Sequence, residues 1–318
     1  MKSFAVVTPT YNREQFLTRL YDSLKQQNFP FKDFSWIIID DGSSDSTDSL
    51  VKSMKSLAPF EIVYLFKENG GKHTAWKYAV EWLRDKEYKY FISIDSDDVL
   101  TFDALSVFYY HWKDIESRNL PIGIINARTM VSGAEDTPHV IFQNVQYIDD
   151  TYHNVALKYG EQSEMITSIR VEDLDTYLQI PDVFWLSDKV KFFSENILWG
   201  RAGRKIKSRY LKNVLRIVHT DADNQISHNK SKRGTQHLYN YIVGIKYFST
   251  ENLDYIVNYQ KQQLLLDIIK YGAMCMITGI PFKEAYHELE RTALQLLYVL
   301  LFPISIAAMV CFYIKRYL

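Results

Sequence analysis

The first third of the chain alternates short runs of β-branched and aromatic residues with amphipathic segments. The strand candidates are Phe4–Thr8, Trp36–Ile39, Ile62–Phe66 and Tyr90–Ile94. The segments with apolar residues at helical spacing are Glu14–Gln26, Thr47–Lys55 and Thr74–Arg84. Strict alternation of strand and helix is typical of a parallel sheet covered by helices on both faces. The pattern therefore predicts an α/β fold.

Polar, glycine-rich or acidic sequences follow all four strand candidates. They are TPTYN at 8–12, DDGSSD at 40–45, KENGGKH at 67–73 and DSDD at 95–98. In open parallel sheets, ligands bind beside the carboxyl ends of the strands. Four such segments at one edge of the sheet predict a ligand site there.

The last of these segments places three carboxylates, Asp95, Asp97 and Asp98, directly after a buried strand. Like charges this close lower stability unless a cation or hydrogen-bond donors compensate them. Capping of a helix that begins near Phe102 would explain only one of the three. A hard divalent cation prefers oxygen ligands, and Mg²⁺ often completes its shell with substrate phosphates. The cluster therefore favours a site for metal and phosphate over helix capping.

The composition restricts the class of protein. The 318 residues include 37 Lys and Arg against 38 Asp and Glu, so a nucleic-acid partner is not indicated. The two cysteines, Cys275 and Cys311, lie in apolar surroundings, which fits a reducing cytoplasm better than a disulfide framework. The first residues are expected to form a strand rather than a signal peptide.

The remainder of the chain divides into a less regular part and a helical part. From about residue 120 to 220 we expect a mixed-sheet extension with a helix near Glu195–Ile206 that faces an acceptor. From residue 231 onward the expected helices are Gln236–Phe248, Leu253–Tyr271 and Phe282–Ile314. We therefore predict one domain at 1–225, with halves at 1–115 and 116–225, and a helical C-terminal region at 226–318.

The C-terminal region contains an uncharged apolar run, Leu294–Ile314, followed by Lys315 and Arg316. As a helix the run would be about 31 Å long, which matches the roughly 30 Å hydrocarbon core of a bilayer. Pro303 interrupts it, and a span would place the two basic residues outside the cell, against the positive-inside tendency. Membrane association is predicted, with spanning, re-entrant and interfacial arrangements all open.

The segments TPTYNR, IIIDDGSSDST, KENGGKHTAWKYAV and FISIDSDD resemble the successive motifs of family 2 glycosyltransferases with the GT-A fold. The resemblance covers residues 3–110 closely and continues more loosely to about Ser227. It implies a Rossmann-like nucleotide-sugar half at 1–115 and an acceptor half at 116–225. It also implies an inverting enzyme with a UDP-sugar donor and Mn²⁺ or Mg²⁺.

The resemblance assigns roles on the donor side. The residues implied in donor binding are Thr8, Pro9, Tyr11, Asp41, Gly71, Lys72, Asp95 and Ser96. Within this set Tyr11 would stack on the base and Asp41 would accept a hydrogen bond from the uracil N–H, whereas Asp40 could equally hold the following turn. Lys72 would contact the diphosphate or lie on a solvated helix face. The metal ligands would be Asp95 and Asp97, with Asp98 adjacent.

The acceptor side is matched by VKFFSENILWGRAGRKIKSRYL at 190–211. An acidic residue at the start of the matching helix serves as the catalytic base in the family, and this implies Glu195, which could otherwise favour the helix dipole. Asp188 and Asp182 are reserve candidates for the base. The acceptor-pocket candidates are Glu164, Trp199 and Arg201.

The expected function is the transfer of one sugar from a UDP-sugar to a saccharide, lipid-linked in our interpretation, at the cytoplasmic face of the membrane. A processive polysaccharide synthase would carry a Gln-x-x-Arg-Trp motif, which the sequence lacks. A nucleotidyltransferase would begin with a Gly-rich loop containing Arg, unlike TPTYNR. A membrane-bound nucleotide-sugar or saccharide-binding protein without activity would not need a base at Glu195.

Overall fold

A computed structural model describes residues 1–136, 140–142, 144–161, 163–177, 196–221 and 236–317. These residues fall into two compact units. The first contains the described residues up to Tyr177 together with Ala202–Asp221, and the second contains Asn196–Arg201 and the described residues from Gln236 onward. The boundary predicted near residue 225 lies outside the described residues, so the domain limits stay a prediction.

The described part of the first unit contains one sheet of nine strands. The strands are β1 Lys2–Thr10, β2 Phe34–Asp40, β3 Glu61–Phe66, β4 Tyr88–Ser93, β5 Val99–Leu100, β6 Ile122–Val131, β7 Tyr147–Asp150, β8 Met165–Arg170 and β9 Lys207–Val218. Their order is β3-β2-β1-β4-β8-β6-β9-β5, and β7 also pairs with β9. The pairs among β1 to β4 are parallel, whereas β8 joins β4 and β6 antiparallel. The predicted parallel sheet with a mixed extension is therefore confirmed.

Helices cover the sheet in the first unit. They are α1 Glu14–Lys25, α2 Thr47–Leu57, α3 Lys72–Leu83, α4 Ala104–Ser117 and the short α5 Leu174–Tyr177. One face of β1 and β2 packs, through Val6, Trp36 and Ile38, into a core built with α1, α2 and α4. Helix α3 also contacts β1 and β2, through the alternate residues of these strands that point to the other face. Because both faces of the parallel strands are covered, their sequences read as continuous apolar runs.

A buried arginine fixes the long strand β9. Arg209 is fully buried, and its guanidinium donates to both carboxylate oxygens of Asp149 in β7 at 2.8 Å and to Asp114 in α4 at 2.6 Å. Its charged plane also lies 4.0 Å from the ring centroid of Tyr147. Paired, hydrogen-bonded charges of this kind are costly to break because the partner is left buried and uncompensated. The network holds β9 in position as it runs towards β5.

The second unit is helical. Its described helices are α6 Asn196–Gly203, which belongs to this unit as far as Arg201, α7 Gln236–Tyr259, α8 Lys261–Ile277, α9 Phe282–Glu288 and α10 Thr292–Tyr317. The predicted helix Leu253–Tyr271 is wrong in its limits, since the chain leaves helical geometry at Gln260 (φ −137°, ψ 44°). The predicted break before Leu253 is instead a kink inside α7 at the buried Asn252 (φ −116°, ψ 18°). The expected helix Phe282–Ile314 is likewise two helices, α9 and α10.

Helix α10 has one packed stripe and one exposed apolar face. Leu294, Tyr298 and Ser305 are buried in the second unit. Gly272 of α8 allows a close helix approach, since a Cβ built there would lie 2.6 Å from Ser305 Oγ. Within the segment Thr292–Phe312, the large hydrophobic side chains that are exposed are Leu296, Val299, Leu300, Ile304, Ile306 and Val310. Its segment Thr292–Phe312 has a mean hydropathy of 2.2 and only 17% of that window is buried, so length and composition would allow it to enter a membrane.

Candidate active site

The carboxyl ends of the parallel strands meet at one edge of the sheet. Thr10 in β1 lies opposite Asp40 in β2, Asp40 lies opposite Phe66 in β3, and Val7 lies opposite Ser93 in β4. The segments that follow these strands are therefore brought to one edge, as the alternation pattern predicted.

The residues at the end of β1 differ in their exposure. Thr8 is fully buried, and its hydroxyl accepts a hydrogen bond from the indole N–H of Trp36 at 2.9 Å. Pro9 is buried as well. The assignment of Thr8 and Pro9 to a base pocket stays a prediction. Tyr11 follows the end of β1 and is 48% exposed, and its stacking on a base stays a prediction.

Asp40, the last residue of β2, and Asp41, which follows it, are both buried, and they make different hydrogen bonds. Asp40 accepts a hydrogen bond from the Ser43 backbone N–H at 2.7 Å and another from the Tyr64 hydroxyl. It therefore holds the turn in which Gly42 has a φ of +82°, a conformation that favours glycine. A Cβ at Gly42 would also lie 2.8 Å from the backbone nitrogen of Asn69. This is the role that the sequence left open for Asp40.

Asp41 anchors the glycine-rich loop that follows β3. Its Oδ1 accepts from Lys67 Nζ at 2.5 Å and from the Gly70 N–H at 3.0 Å, and its Oδ2 accepts from the Gly71 N–H at 2.7 Å. Asn69 contributes a further hydrogen bond to the Asp41 backbone carbonyl at 2.8 Å. A carboxylate with several such donors is held tightly in place. The loop is thereby fixed against β2 just before α3 begins.

Helix α3 begins at Lys72, beside the acidic cluster. Its N-cap residue, Gly71, has a φ of +95°, which an L side chain rarely adopts. The Lys72 ammonium lies 2.7 Å from Asp95 Oδ1 and 5.3 Å from the ring centroid of Trp76. Lys72 therefore points at the predicted donor site and is not confined to a solvated helix face.

The three predicted metal ligands are brought together. Carboxylate oxygens of Asp95, Asp97 and Asp98 all lie within 4.8 Å of one another. Ser96 between them is buried, with 6% of its surface exposed. Burial raises the pKa of Asp95, but the charges of Lys72 and Arg216 outweigh this, and the pKa lies below its usual value. An all-oxygen donor set of this kind fits a hard divalent cation such as Mg²⁺ or Mn²⁺.

Arg216 is a member of the cluster that sequence reasoning missed. It lies on β9, which pairs with β5 directly after the cluster, so that Arg216 is opposite Leu100. Its Nε donates to Asp98 Oδ2 at 2.7 Å and its Nη2 donates to Glu164 Oε1 at 2.5 Å. The Asp98 Oδ1 accepts from the backbone N–H of His219 at 3.2 Å. Burial raises the pKa of Asp98 to about 7, and the neighbouring Asp95 and Asp97 add to this while Arg216 opposes it.

Two arginines that contact Asp97 were also missed by sequence reasoning: Arg13, the N-cap residue of α1, and Arg19 within α1. Arg13 Nη1 lies 3.4 Å from Asp97 Oδ2, and Arg19 Nη2 donates to the Asp97 backbone carbonyl at 2.6 Å. Arg19 also pairs with Asp221 at 2.8 Å, after the end of β9. Arg13 closes the TPTYNR segment, so its position after β1 is the one signal in the sequence that could have pointed to it.

The acceptor candidates are only partly described. Glu164 is 61% exposed at its side chain and contacts the cluster through Arg216. Arg201 instead donates to both carboxylate oxygens of Glu251, at 2.9 and 2.6 Å, within the second unit, where the half-buried Trp199 also lies. Glu195, Asp188 and Asp182 lie outside the described residues.

A nine-stranded mixed sheet with an acidic cluster after its fourth strand defines a GT-A-type fold, and solved structures support this. The structure of Staphylococcus aureus TarS 1–349 in complex with UDP-GlcNAc is similar with a TM-score of 0.58 and 14% identity, covering all of this chain and 93% of that one. The mannosyltransferase PcManGT from Pyrobaculum calidifontis, in complex with GDP-Man and Mn²⁺, is similar with a TM-score of 0.51 and 15% identity, covering 98% and 86%. The expected GT-A fold is confirmed.

The sequence comparisons give the family. Residues 5–178, more than half of the chain, match the model described as glycosyl transferase family 2. The chain belongs to this family, and the expectation drawn from its four motifs is confirmed.

Curated relatives are similar over part of the chain. The poly(ribitol-phosphate) β-N-acetylglucosaminyltransferase TarS of Staphylococcus aureus is 24% identical over 69% of this chain. The minor teichoic acid biosynthesis protein GgaB of Bacillus subtilis is 32% identical over 40% of it. The matched region spans 40% of the length of TarS and 14% of that of GgaB.

Proposed function

We propose that the protein transfers a single sugar, with inversion, from a UDP-sugar to a saccharide acceptor, with the help of a divalent cation. The observation that carries this proposal is the convergence of Lys72, the glycine-rich loop and three carboxylates at one edge of the sheet. A cation site beside a lysine at a helix start suits a diphosphate. The likeness to TarS and GgaB supports UDP-GlcNAc as the first donor to test and a teichoic-acid-type polymer as the acceptor.

Transfer by this route is one displacement at the anomeric carbon. Glu195 removes the proton from the acceptor hydroxyl while the acceptor oxygen bonds to that carbon from one face. The bond from the carbon to the β-phosphate oxygen breaks on the opposite face, and its electron pair leaves with UDP. Lys72 pairs with the leaving diphosphate, and Tyr11 stacks on the base. The cation, held by Asp95 and Asp97, would offset the negative charge that develops on the leaving group.

The proposal is tested by measuring UDP release from purified full-length protein over a panel of UDP-sugars. The panel contains UDP-GlcNAc, UDP-GalNAc, UDP-Glc and UDP-Gal, each with poly(ribitol phosphate) as acceptor and with Mn²⁺, Mg²⁺ or EDTA. We expect acceptor-dependent release with one of the donors and loss of release in EDTA. Tight UDP binding without turnover of any donor would support the inactive binding protein instead, and full turnover in EDTA would refute the metal.

Asp41 allows a test of two roles. If its carboxylate only anchors the loop of Gly70 and Gly71, Asp41→Asn should weaken UDP and CDP binding equally, by about tenfold for the loss of charge-assisted hydrogen bonds. If it also accepts from the uracil N–H, the variant should lose the preference for UDP over CDP, because CDP lacks that donor. Titration calorimetry with both nucleotides in Mn²⁺ decides between these results. The matched control is Asp22→Asn, the same change at an exposed position of α1.

We further propose that the exposed face of α10 lies in the membrane interface on the cytoplasmic side, and that the acceptor is lipid-linked. The face is apolar over its length, while the opposite stripe packs on α8. Exposed polar residues of α8, among them Lys261, Gln263 and Lys270, would have to enter hydrocarbon if α10 spanned the bilayer with α8 attached. An interfacial helix satisfies both faces.

Leu300→Glu tests the membrane contact, since Leu300 is 73% exposed on this face. We expect at least tenfold weaker partitioning onto anionic liposomes in a flotation assay, because a carboxylate at the acyl boundary is unfavourable. The matched control is Leu57→Glu on α2, where the leucine is 75% exposed. Equal flotation of Leu300→Glu and Leu57→Glu contradicts the proposal. If Leu300→Glu keeps its flotation but light scattering shows that it converts a dimer to a monomer, the face contacts a second copy of the chain instead, which also contradicts the proposal.

A further inference from the structure

We infer that the Lys72 ammonium takes the place of a divalent cation at Asp95 while the donor site is empty, and transfers to the diphosphate when cation and nucleotide bind together. This inference rests on the proposed function, because it concerns the same site. Its consequence is that cation and nucleotide bind cooperatively, with each improving the affinity for the other.

The charges of the cluster are already matched by the protein. Each carboxylate has its own basic partner: Lys72 lies 2.7 Å from Asp95, Arg13 lies 3.4 Å from Asp97, and Arg216 lies 2.7 Å from Asp98. Three basic groups therefore face these carboxylates, with Arg216 shared between Asp98 and Glu164, so most of the negative charge of the site is already compensated. A divalent ion that entered this arrangement alone would add two positive charges to a compensated site, which is unfavourable in a partly buried place. Either a resident cation must leave, or an anion must enter with the ion.

Arg216 is not able to leave easily. It is 7% exposed, lies within a strand, and bonds to two carboxylates at once, Asp98 and Glu164. Removing the guanidinium would leave the buried Asp98 without its basic partner. Its planar group is also matched to this fixed geometry. Arg216 is therefore a permanent member of the cluster.

Lys72 has the opposite properties. Its side chain is 21% exposed and starts at the first residue of α3, next to a glycine. An ammonium on a flexible four-carbon stem is a compact, well-hydrated charge that can change partner at little cost. Besides Asp95, the ammonium has the ring of Trp76 as a neighbour, 5.3 Å from the ring centroid. The partner that it would exchange for Asp95 is the β-phosphate, and Asp95 Oδ1 would then turn to the cation.

The exchange predicts effects of opposite sign when the Lys72 charge is removed. Without the competing ammonium, the cluster should bind a divalent cation alone more tightly. Without the ammonium on the diphosphate, the protein should bind UDP more weakly even at saturating cation. A lysine that only stabilised the fold would weaken both ligands, so the two signs together distinguish the exchange from a structural role.

The experiment measures Mn²⁺ binding by electron paramagnetic resonance and UDP binding by calorimetry, on the full chain. For Lys72→Met we expect Mn²⁺ without nucleotide to bind on the order of tenfold more tightly, and UDP in saturating Mn²⁺ on the order of tenfold more weakly. Lys72→Arg should restore UDP binding in part. The control is Lys52→Met, the same charge change in an exposed pair with Asp48 on α2, and thermal unfolding confirms that each variant is folded.

The outcomes distinguish failure of the exchange by Lys72 from failure of the proposed function. Mn²⁺ affinity that falls or stays the same in Lys72→Met overturns the exchange but leaves the donor site in place if the unmodified protein binds Mn²⁺ and UDP. An unmodified protein that binds neither ligand overturns the proposed function itself. Mn²⁺ and UDP that bind without mutual enhancement in the unmodified protein also overturn the exchange.

Discussion

Asp97→Asn is expected to lower kcat/KM for sugar transfer roughly 10²–10³-fold, the loss that follows when several kcal/mol of leaving-group stabilisation by a metal is removed. The ion pair of Asp97 with Arg13, at 3.4 Å, is longer than the 2.7 Å pairs of Lys72 with Asp95 and of Arg216 with Asp98. The backbone carbonyl of Asp97 is held separately by Arg19. The amide keeps the size of the side chain and the position of the loop. The change therefore removes the charge and leaves the fold in place.

The measurement compares UDP affinity with Mn²⁺ and with EDTA in the variant and in the unmodified protein. We expect the metal-dependent gain in UDP affinity to disappear in Asp97→Asn, while binding in EDTA stays the same. Asp103→Asn, six positions further along and exposed, is the control. Turnover of the variant at the unmodified rate would show that Asp97 does not hold the metal.

Glu195→Gln is expected to lower kcat 10²–10⁴-fold with little change in the affinity for UDP or Mn²⁺, because a general base contributes about this factor and acts only on the acceptor. The readout is a single-turnover rate together with donor titrations.

Asp188→Asn and Asp182→Asn serve as matched variants for this test. The residue whose change lowers kcat while donor affinity persists holds the base role. If Glu195→Gln transfers sugar at the unmodified rate and one of the others does not, the assignment passes to that aspartate. All three lie outside the described residues, so the assignment depends on the resemblance of the segment 190–211 alone.

The parallel half of the fold was predictable because its signals are local. Strand and helix alternate with clear periods, and a parallel sheet brings the carboxyl ends of its strands to one edge whatever the loops do. The predicted strand Trp36–Ile39 lies inside β2, and the predicted helix Thr74–Arg84 differs from α3 by at most two residues. The placement of Lys72 beside Asp95 follows from the same rule.

The helical C-terminal unit was predicted less well, because apolar periodicity does not mark its breaks. The sequence around Gln260 contains no proline or glycine, yet the helix ends there. The interruption expected at Pro303 is also absent, since α10 continues through this residue. Tertiary packing overrides local preference at such places.

The repulsion among Asp95, Asp97 and Asp98 can be compensated in two ways, by a bound cation or by basic side chains of the protein. The sequence suggested a divalent cation, whereas Lys72, Arg13 and Arg216 already pair with the three carboxylates. Repulsion alone therefore does not require a metal, and the metal proposal depends on the donor geometry and on the tests above. Arg216 lies 118 positions from Asp98, too far along the chain for any spacing rule to connect them.

By itself, the sequence determined the family, the parallel sheet and the edge at which the chemistry lies, since these follow from local periods and from motifs that recur along the first 98 residues. Only the tertiary structure decided that Thr8 faces the core, that Asp41 anchors the glycine-rich loop, and that β9 delivers Arg216 to the acidic cluster. The physical reason is that side-chain direction and ion pairing depend on which strands become neighbours. That choice is made by packing over the whole unit and is not encoded in any short stretch.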